Sequence, residues 1–288
     1  MSGPLVTVVI PTYNRSNYIA RAIHCIQNQS VQDFEIVVVD DGSEDNTGDI
    51  VAEKASTDQR IRYLCHPVNQ GAMAARNTGS RAAQGEWVAF LDSDDEWLAN
   101  SLEIRLLDAE KRKVKVVHSE CYIEYVSTNQ RSLFGVPPSS GMVYKEFLQR
   151  PGPVFPALLI HLSALKAINY LDERIVSYQE WDTSIRLAKH YEFGFVSEPT
   201  FIYYRHPDAA ISYDIVRNAR GYEQVVRKHA AEISRVLGRK ALADHYVVAA
   251  SIYSSGESRS NARNCMALAL KADPSKEHLL GFIRSIFK

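Results

Sequence analysis

Through the first 110 residues, short apolar runs alternate with segments whose apolar positions keep helical spacing. Leu5 to Ile10 is a β-branched run ended by Pro11, which cannot donate to a ladder, so a buried first strand is predicted to stop at Pro11. Ile19, Ala22, Ile23 and Ile26 then keep i, i+3, i+4, i+7 spacing, the pattern of a helix lying on a sheet, with Asn14 or Ser16 as its cap. Phe34 to Val39 is a second buried strand, and a polar helix begins near Thr47. Ile61 to Cys65 supplies a third strand, followed by a helix from Ala72 to Ala83 whose small residues imply close packing on a sheet. Trp87 to Leu91, apolar without alternation and too short for a helix, reads as a buried parallel strand. A helix on Leu98, Leu102, Leu106 and Leu107 follows. The alternation predicts an α/β fold: an open, mostly parallel, doubly wound twisted sheet with flanking helices.

The pattern then loosens. Val114 to Tyr125 supplies another strand or two, and Thr128 to Gly141, polar and Pro-bearing, reads as a long mobile loop of the kind that acts as a lid. Leu158 to Ala167 is an apolar element, and Tyr178 to Asp182 opens a helix with Trp181, Ile185, Leu187 and Ala188 on its inner face. Phe193 to Tyr204 reads as a strand pair bent at Pro199. From 213 to 288 the pattern is helical, with helices near 215–236, 239–255, 258–272 and 275–287, which divides the chain into an α/β part, 1–212, and a helical C-terminal appendage. Ala249 to Pro274 faintly resembles one tetratricopeptide helix pair, which must pack on the main domain or on a partner. The last helix sets Leu279, Leu280, Phe282, Ile283, Ile286 and Phe287 beside Lys276, Arg284 and Lys288, a stripe for core packing or for peripheral contact with a membrane surface.

Composition narrows the function classes. A formal net charge of -1 with scattered basic residues gives no electrostatic case for nucleic acid. Cys25, Cys65, Cys121 and Cys265 have no metal-ligand or redox spacing and read as reduced, buried thiols. No secretory leader and no apolar run of transmembrane length are evident, so the expected place is the cytoplasm, at most peripheral at the inner face of a membrane.

The candidate chemistry sits where apolar runs end in acids. Asp92, Asp94, Asp95 and Glu96 follow the Trp87–Leu91 run, and ligands of open α/β sheets bind outside the carboxyl ends of strands. Carboxylates so close repel unless a cation compensates them, and oxygen ligands suit Mg2+ or Mn2+. The competing use is capping of the following helix by Asp94 or Asp95, but one cap needs one carboxylate. Asp40-Asp41-Gly42-Ser43 puts acids at a second strand end, with a turn and helix cap as the alternative. Gly71 permits close backbone approach, and the helix start after it favours an anion such as phosphate, beside a plain packing role. Neither a Gly-x-Gly-x-x-Gly turn in the first crossover nor a phosphate-binding Gly-Lys-Ser/Thr loop is present.

Ile10-Pro11-Thr12-Tyr13-Asn14, Val39-Asp40-Asp41-Gly42-Ser43, Ala75-Arg76-Asn77-x-Gly79 and Phe90-Leu91-Asp92-Ser93-Asp94-Asp95 occur in this order, and with them the sequence resembles family 2 glycosyltransferases from about residue 4 to 207. The resemblance implies a GT-A fold, a nucleotide-diphosphate sugar donor, a saccharide or lipid-linked saccharide acceptor, a divalent metal (Mn2+ or Mg2+) and inversion at the anomeric carbon. By matching positions, Pro11, Tyr13 and Asp41 would hold base and ribose, with Thr12, Asn14, Asp40, Gly71, Arg76 and Ser93 in the same donor-binding set. Asp92 and Asp94 would form the Asp-x-Asp motif, with Asp94 the direct metal ligand and His206 a further candidate. Glu180 falls at the family's catalytic-base position, where Gln179-Glu180 replaces the usual Glu-Asp, so Asp182 is a rival. His206 directly follows Arg205, where many relatives have one residue between, and a surface role stands beside the metal one.

The chemistry calls for these groups. A metal neutralises the nucleoside diphosphate leaving group, and a carboxylate on the opposite side of the sugar takes the proton of the attacking hydroxyl. Trp97, Tyr178 and Trp181 are candidates for an acceptor wall or for core. Two other classes compete: a non-catalytic nucleotide-sugar-binding partner, against which the intact carboxylates speak, and a nucleotidyltransferase, whose Gly-rich basic loop is missing after strand one.

Overall fold

The structure is a computed structural model that describes residues 3–206 and 214–287, leaving aside the side chains at 276, 281 and 284–287. Lys276, Arg284, Ile286, Phe287 and Lys288 of the membrane-surface reading therefore lie outside the described side chains. The chain forms two compact units: Met1–Val143 with Gly152–Glu173 and Arg186–Asp208, and Tyr144–Pro151 with Arg174–Ile185 and Ala209–Lys288.

The first unit holds β1 (Val6–Thr12), α1 (Ile19–Gln27), β2 (Phe34–Asp40), α2 (Thr47–Thr57), β3 (Ile61–Cys65), α3 (Ala72–Ala82), β4 (Trp87–Phe90), β5 (Glu96–Trp97), α4 (Ser101–Arg112), β6 (Val116–Tyr125) and β7 (Gln130–Leu133). Farther along the chain, α5 (Tyr144–Gln149) belongs to the second unit, β8 (Leu159–His161) and α6 (Leu162–Ala167) to the first, and α7 (Gln179–Ala188) begins in the second and ends in the first. The sheet closes with β9 (Phe193–Arg205).

The strands form one sheet in the order β3-β2-β1-β4-β8-β6-β9-β5, with β7 hairpinned onto β6. The half built from β3, β2, β1 and β4 is parallel, as the alternation predicts. The other half is mixed, because β8 runs antiparallel to both β4 and β6. That reversal leaves β6 and β9 pointing the same way as β4, so the carboxyl ends of six strands lie along one edge. Val6, Val8, Ile10, Ile36 and Val38 share a core with α1, α2 and α4. Val9 and Val39 turn to the other face, where a Cβ on Gly79 of α3 would meet Val9 Cγ1 at 2.4 Å. The small residues of α3 are thus what lets it lie on the sheet.

Several elements differ from the sequence pattern. β1 runs through Pro11, which pairs with Val39. Leu91 N donates to Val9 O, so by alternation the missing N–H of Pro11 faces the β4 side, where the β1–β4 ladder has already ended at Val9↔Phe90. Neither Asn14 nor Ser16 caps α1, whose N-cap is Tyr18 with no side-chain bond. Part of the expected loop after residue 128 is β7, and β9 is one strand with register shifts against β6 instead of a pair. Cys65 is exposed; the other three thiols are buried and free.

In the second unit, α8 (Ile215–Lys228) and α9 (Ala230–Leu237) divide the first expected helix at His229, followed by α10 (Arg239–Ser255), α11 (Arg259–Ala272) and α12 (Lys276–Phe287). Trp181 is fully buried: its indole donates to Phe147 O at 2.6 Å and its ring lies 4.9 Å from Tyr222 and 5.7 Å from His245. Trp97, 2% exposed, donates to Pro156 O, so both tryptophans are core and neither is an acceptor wall. The pair α10–α11 packs on α8 of its own unit, which supplies the support a lone helix pair needs. On α12, Leu279, Leu280 and Ile283 are more than 40% exposed, while His278 is buried. No helix among the described residues is long and apolar enough to cross a membrane.

Candidate active site

The chain leaves β4 into a tight turn, closed by Asp95 N donating to Asp92 O at 3.0 Å. β5 then pairs antiparallel with β9, Glu96 opposite Ile202, which carries the turn across to the end of β9. There Asp95 accepts from Tyr204 N at 3.1 Å and Glu96 from the Tyr204 hydroxyl at 3.0 Å. The capping reading of Asp94 and Asp95 is therefore corrected: α4 starts later, at Ser101, behind Asn100.

Each acid of the turn meets a different environment. Asp92 accepts from Arg76 Nη2, and Arg76 is itself buried with its guanidinium 4.7 Å from the Phe155 ring. Asp94 stands 3.7 Å from Arg15 Nε, and its backbone carbonyl accepts from Arg21 Nη2 at 2.6 Å. Arg21 in turn lies over the Tyr204 ring at 4.2 Å. Burial and the neighbouring Asp92 push the Asp94 carboxyl up, with Arg15 and His206 opposing. Asp95 is 1% exposed, burial with Asp92 and Asp94 drives its carboxyl well above the ordinary range, and its Oδ2 has no hydrogen-bond partner.

Arginines stand beside Asp92 and Asp94, and one buried oxygen of Asp95 stays unpartnered. Asp92 and Asp94 keep 33% of their side-chain surface open, so they are the two accessible carboxylates. Among the described residues no three His, Cys, Asp or Glu side chains form a cage for a metal. A divalent ion fits here as Mg2+ commonly binds, through one or two carboxylates with phosphate oxygens and water completing its shell. His206, at the end of β9, has its ring 4.9 Å from Tyr18 and close enough to Asp94 to bias it.

The neighbouring strand ends carry the other candidate residues. Thr12 is buried with its hydroxyl unpartnered, and Tyr13 is 41% exposed. Asn14, in the left-handed region at φ 51°, donates its N–H to Ser43 Oγ and accepts from Glu44 N, both at 2.9 Å. Asp40 accepts from Ser43 N at 2.8 Å and the Tyr63 hydroxyl at 2.7 Å. Asp41 accepts from Gln70 N at 2.9 Å and Gly71 N at 2.7 Å, and pairs with His66 Nδ1 at 2.7 Å. Gly71, at φ 94°, has open space where a Cβ would stand, and Ser93 is buried. All of these lie in the first unit, along one edge. Sequence reasoning missed Arg15, Arg21, His66 and Tyr204; for His66 the signal was its place directly after a strand ending at this edge.

Glu180 and Asp182 lie in the first turn of α7, within the second unit. Asp182 is 1% exposed, with Lys228 Nζ at 2.7 Å and His229 Nε2 at 2.8 Å from its Oδ1. His229 Nδ1 lies 3.1 Å from Glu232. Glu180 is half-buried, and burial together with its charge raises the Tyr178 phenol.

The fold is that of the GT-A glycosyltransferases, and the site is an acidic turn at the carboxyl edge of its sheet. The chain belongs to glycosyl transferase family 2, whose family model matches residues 7–168. It is 35% identical over 154 residues, 53% of this chain and 58% of the relative, to the Escherichia coli UDP-Glc:alpha-D-GlcNAc-diphosphoundecaprenol beta-1,3-glucosyltransferase WfgD. Staphylococcus aureus TarS 1-349 in complex with UDP-GlcNAc superposes with a TM-score of 0.74 at 20% identity, covering 93% of this chain and 81% of that one. The mannosyltransferase PcManGT from Pyrobaculum calidifontis in complex with GDP-Man and Mn2+ gives 0.64 at 17% identity, covering 99% and 85%. The chain spans between 28% and 61% of the length of the Rickettsia bellii and Haemophilus influenzae glycosyltransferases it matches.

Proposed function

We propose that this chain is an inverting, metal-dependent glycosyltransferase that moves a sugar from a nucleotide-diphosphate sugar to a saccharide or lipid-linked saccharide hydroxyl, in bacterial-type polysaccharide or glycoconjugate synthesis. The observation that carries the reading is the turn Asp92–Asp95, where two accessible carboxylates, each beside an arginine, stand in front of a third that is buried with an unpartnered oxygen. The relatives point the same way: one is named for a UDP-Glc donor and a diphosphoundecaprenol-linked acceptor, and two solved neighbours hold UDP-GlcNAc and GDP-Man with Mn2+.

Residues 1–212 form the catalytic part of this reading. Asp94 and Asp92 hold the ion, with His206 as a third ligand, and the ion when bound neutralises the diphosphate leaving group. Pro11, Thr12, Tyr13, Asn14, Asp40 and Asp41 build the nucleotide pocket; Asp41 does so by fixing the Gln70 and Gly71 backbone. Arg76 orients Asp92, and Ser93 belongs to the same donor turn. Glu180 takes the proton of the acceptor hydroxyl, in preference to Asp182, whose carboxylate is enclosed by Lys228 and His229.

The test is a thermal-shift screen of nucleotide sugars with and without Mn2+, since a ligand that binds only the native state raises stability by about 2.7 kcal/mol at a hundredfold excess over Kd. A donor should stabilise the protein more with Mn2+ than without, and Asp94→Ala should lose that difference while melting cooperatively. Equal donor stabilisation of the variant, with and without metal, would rule the assignment out.

A further inference from the structure

The C-terminal unit carries an open groove of about 460 Å3 between α8, α10 and α11, with Val216, Arg220, Arg227 and Asn261 at its exposed rim, a size in the range of small-molecule sites. Val216, Arg220, Glu223 and Arg227 form one stripe of α8, and Tyr253 of α10 with Asn261 of α11 complete the wall. We propose that this groove binds an anionic saccharide unit, a sugar bearing a phosphate or a carboxylate. The saccharide half rests on the transferase reading above, as a site for the acceptor chain; the anionic half rests on the wall alone.

The charge balance of the wall comes first. Its one carboxylate, Glu223, is committed: Oε1 accepts from Arg227 Nε at 2.7 Å and Oε2 from the Tyr253 hydroxyl at 2.9 Å. Burial and that hydrogen bond hold the Tyr253 phenol in its protonated form. Two arginines against one glutamate leave one positive charge in excess, and it is carried by Arg220, which has no carboxylate partner among the described residues. The remaining wall adds to the same sign. Asn261 stands in the first turn of α11, a helix with no acid there, so the positive end of a 14-residue helix lies at the groove.

The neutral groups argue for a sugar over a bare ion. Asn261 uses its amide nitrogen on Ser258 Oγ at 3.1 Å, which leaves its carbonyl oxygen free to accept from a hydroxyl. Gln224, also in the wall, is tied to Val176 N at 3.0 Å and Arg174 O at 3.2 Å, so it fixes shape and does not compete. Val216, 38% exposed, gives the apolar contact that a pyranose C–H face uses. A groove of about 460 Å3 is far larger than one phosphate requires.

Calorimetric titration of the full chain with glucose 6-phosphate, methyl glucuronide, glucose and inorganic phosphate tests this, alongside Arg220→Ala and Asn261→Ala. At least one anionic sugar should bind at least tenfold more tightly than glucose or phosphate, and the tighter of the two identifies the anionic group. Arg220→Ala should weaken it roughly tenfold or more, the scale of a charge-assisted contact, and Asn261→Ala less. Donor-dependent thermal shifts should be unchanged in both variants. Equal binding of glucose, equal binding of inorganic phosphate, an unaffected Arg220→Ala, or no binding of any probe at millimolar concentration each overturns the site. Anionic-sugar binding without any donor binding would instead sink the transferase reading and leave this site standing.

Discussion

Asp92, Asp94 and Asp95 share one turn, yet the protein treats them as three different groups. Asp92 is neutralised by a buried arginine, Asp94 is watched by Arg15 across 3.7 Å, and Asp95 is sealed off with only the Tyr204 N–H and one unpartnered oxygen. Spacing along the sequence distinguishes none of these, because what separates them is the crossing of β5 onto β9. The two acids of α7 divide in the same way. Asp182 is buried, with Lys228 Nζ and His229 Nε2 within 2.8 Å of its Oδ1, so its removal is a stability event, whereas Glu180 is half-buried and its charge raises the Tyr178 phenol. Glu180→Gln keeps shape and removes the proton acceptor, so turnover should fall roughly a hundredfold or more with donor affinity little changed. Asp182→Asn should lower the melting temperature before it lowers turnover per folded molecule. Near-normal turnover in Glu180→Gln beside an inactive but stable Asp182→Asn would move the base by two residues.

Among elements, those legible in the sequence are the ones whose side chains alone decide them. β2 and β4 are apolar runs buried in the parallel half of the sheet, and α3 shows its small residues because only they fit against Val9 and Val39. What the sequence concealed depends on partners far along the chain. Arg105 looks like a surface residue of α4 but is fully buried, donating to Ser101 O, Pro156 O and Leu158 O, with its guanidinium 4.5 Å from the Trp97 ring. The loop after β1 was expected to cap α1; instead it is tied to the start of α2. Asp45 accepts from Ser16 N at 3.1 Å and Thr47 N at 3.0 Å. Partial burial raises the Asp45 carboxyl, and the bonds from Thr47 and Ser16 more than reverse this, holding it at about 2. A depressed carboxyl stabilises the fold fully above its unfolded value near 4 and loses that contribution as pH falls toward 2. Asp45→Ala should therefore cost about 1 kcal/mol at pH 7, the scale of a lost helix-start bond. Chemical denaturation should show the gap closing below pH 4; a gap constant down to pH 2.5 would mean the carboxylate charge contributes nothing.

At the scale of the whole molecule, the division at residue 212 treats the C-terminal helices as an appendage, but the second compact unit also claims residues 144–151 and 174–185. Those inserted pieces are covered by the helices. Trp181 packs against Tyr222 and His245, Leu148 O accepts from His245 Nε2 at 3.0 Å, and the Tyr222 hydroxyl donates to His245 Nδ1 at 2.7 Å. Burial lowers the His245 pKa, so the ring is neutral and this chain of bonds is complete. Gly221 lies so close to Ser177 that a Cβ would stand 2.5 Å from its carbonyl oxygen. A fragment ending at 212 would expose Trp181, Phe147 and Leu148, each worth roughly 1.5–3 kcal/mol of burial, and would leave Asp182 without Lys228 and His229. Such losses approach the whole stability of an ordinary domain. We expect the 1–212 fragment to bind hydrophobic dye, to be cut by protease within 144–151 and 174–185, and to lose turnover through the disordering of the α7 turn that carries Glu180. A fragment that melts cooperatively at the temperature of the full chain, with protected 174–185 and intact turnover, would show that the helices are an appendage and that the first unit holds α7 unaided.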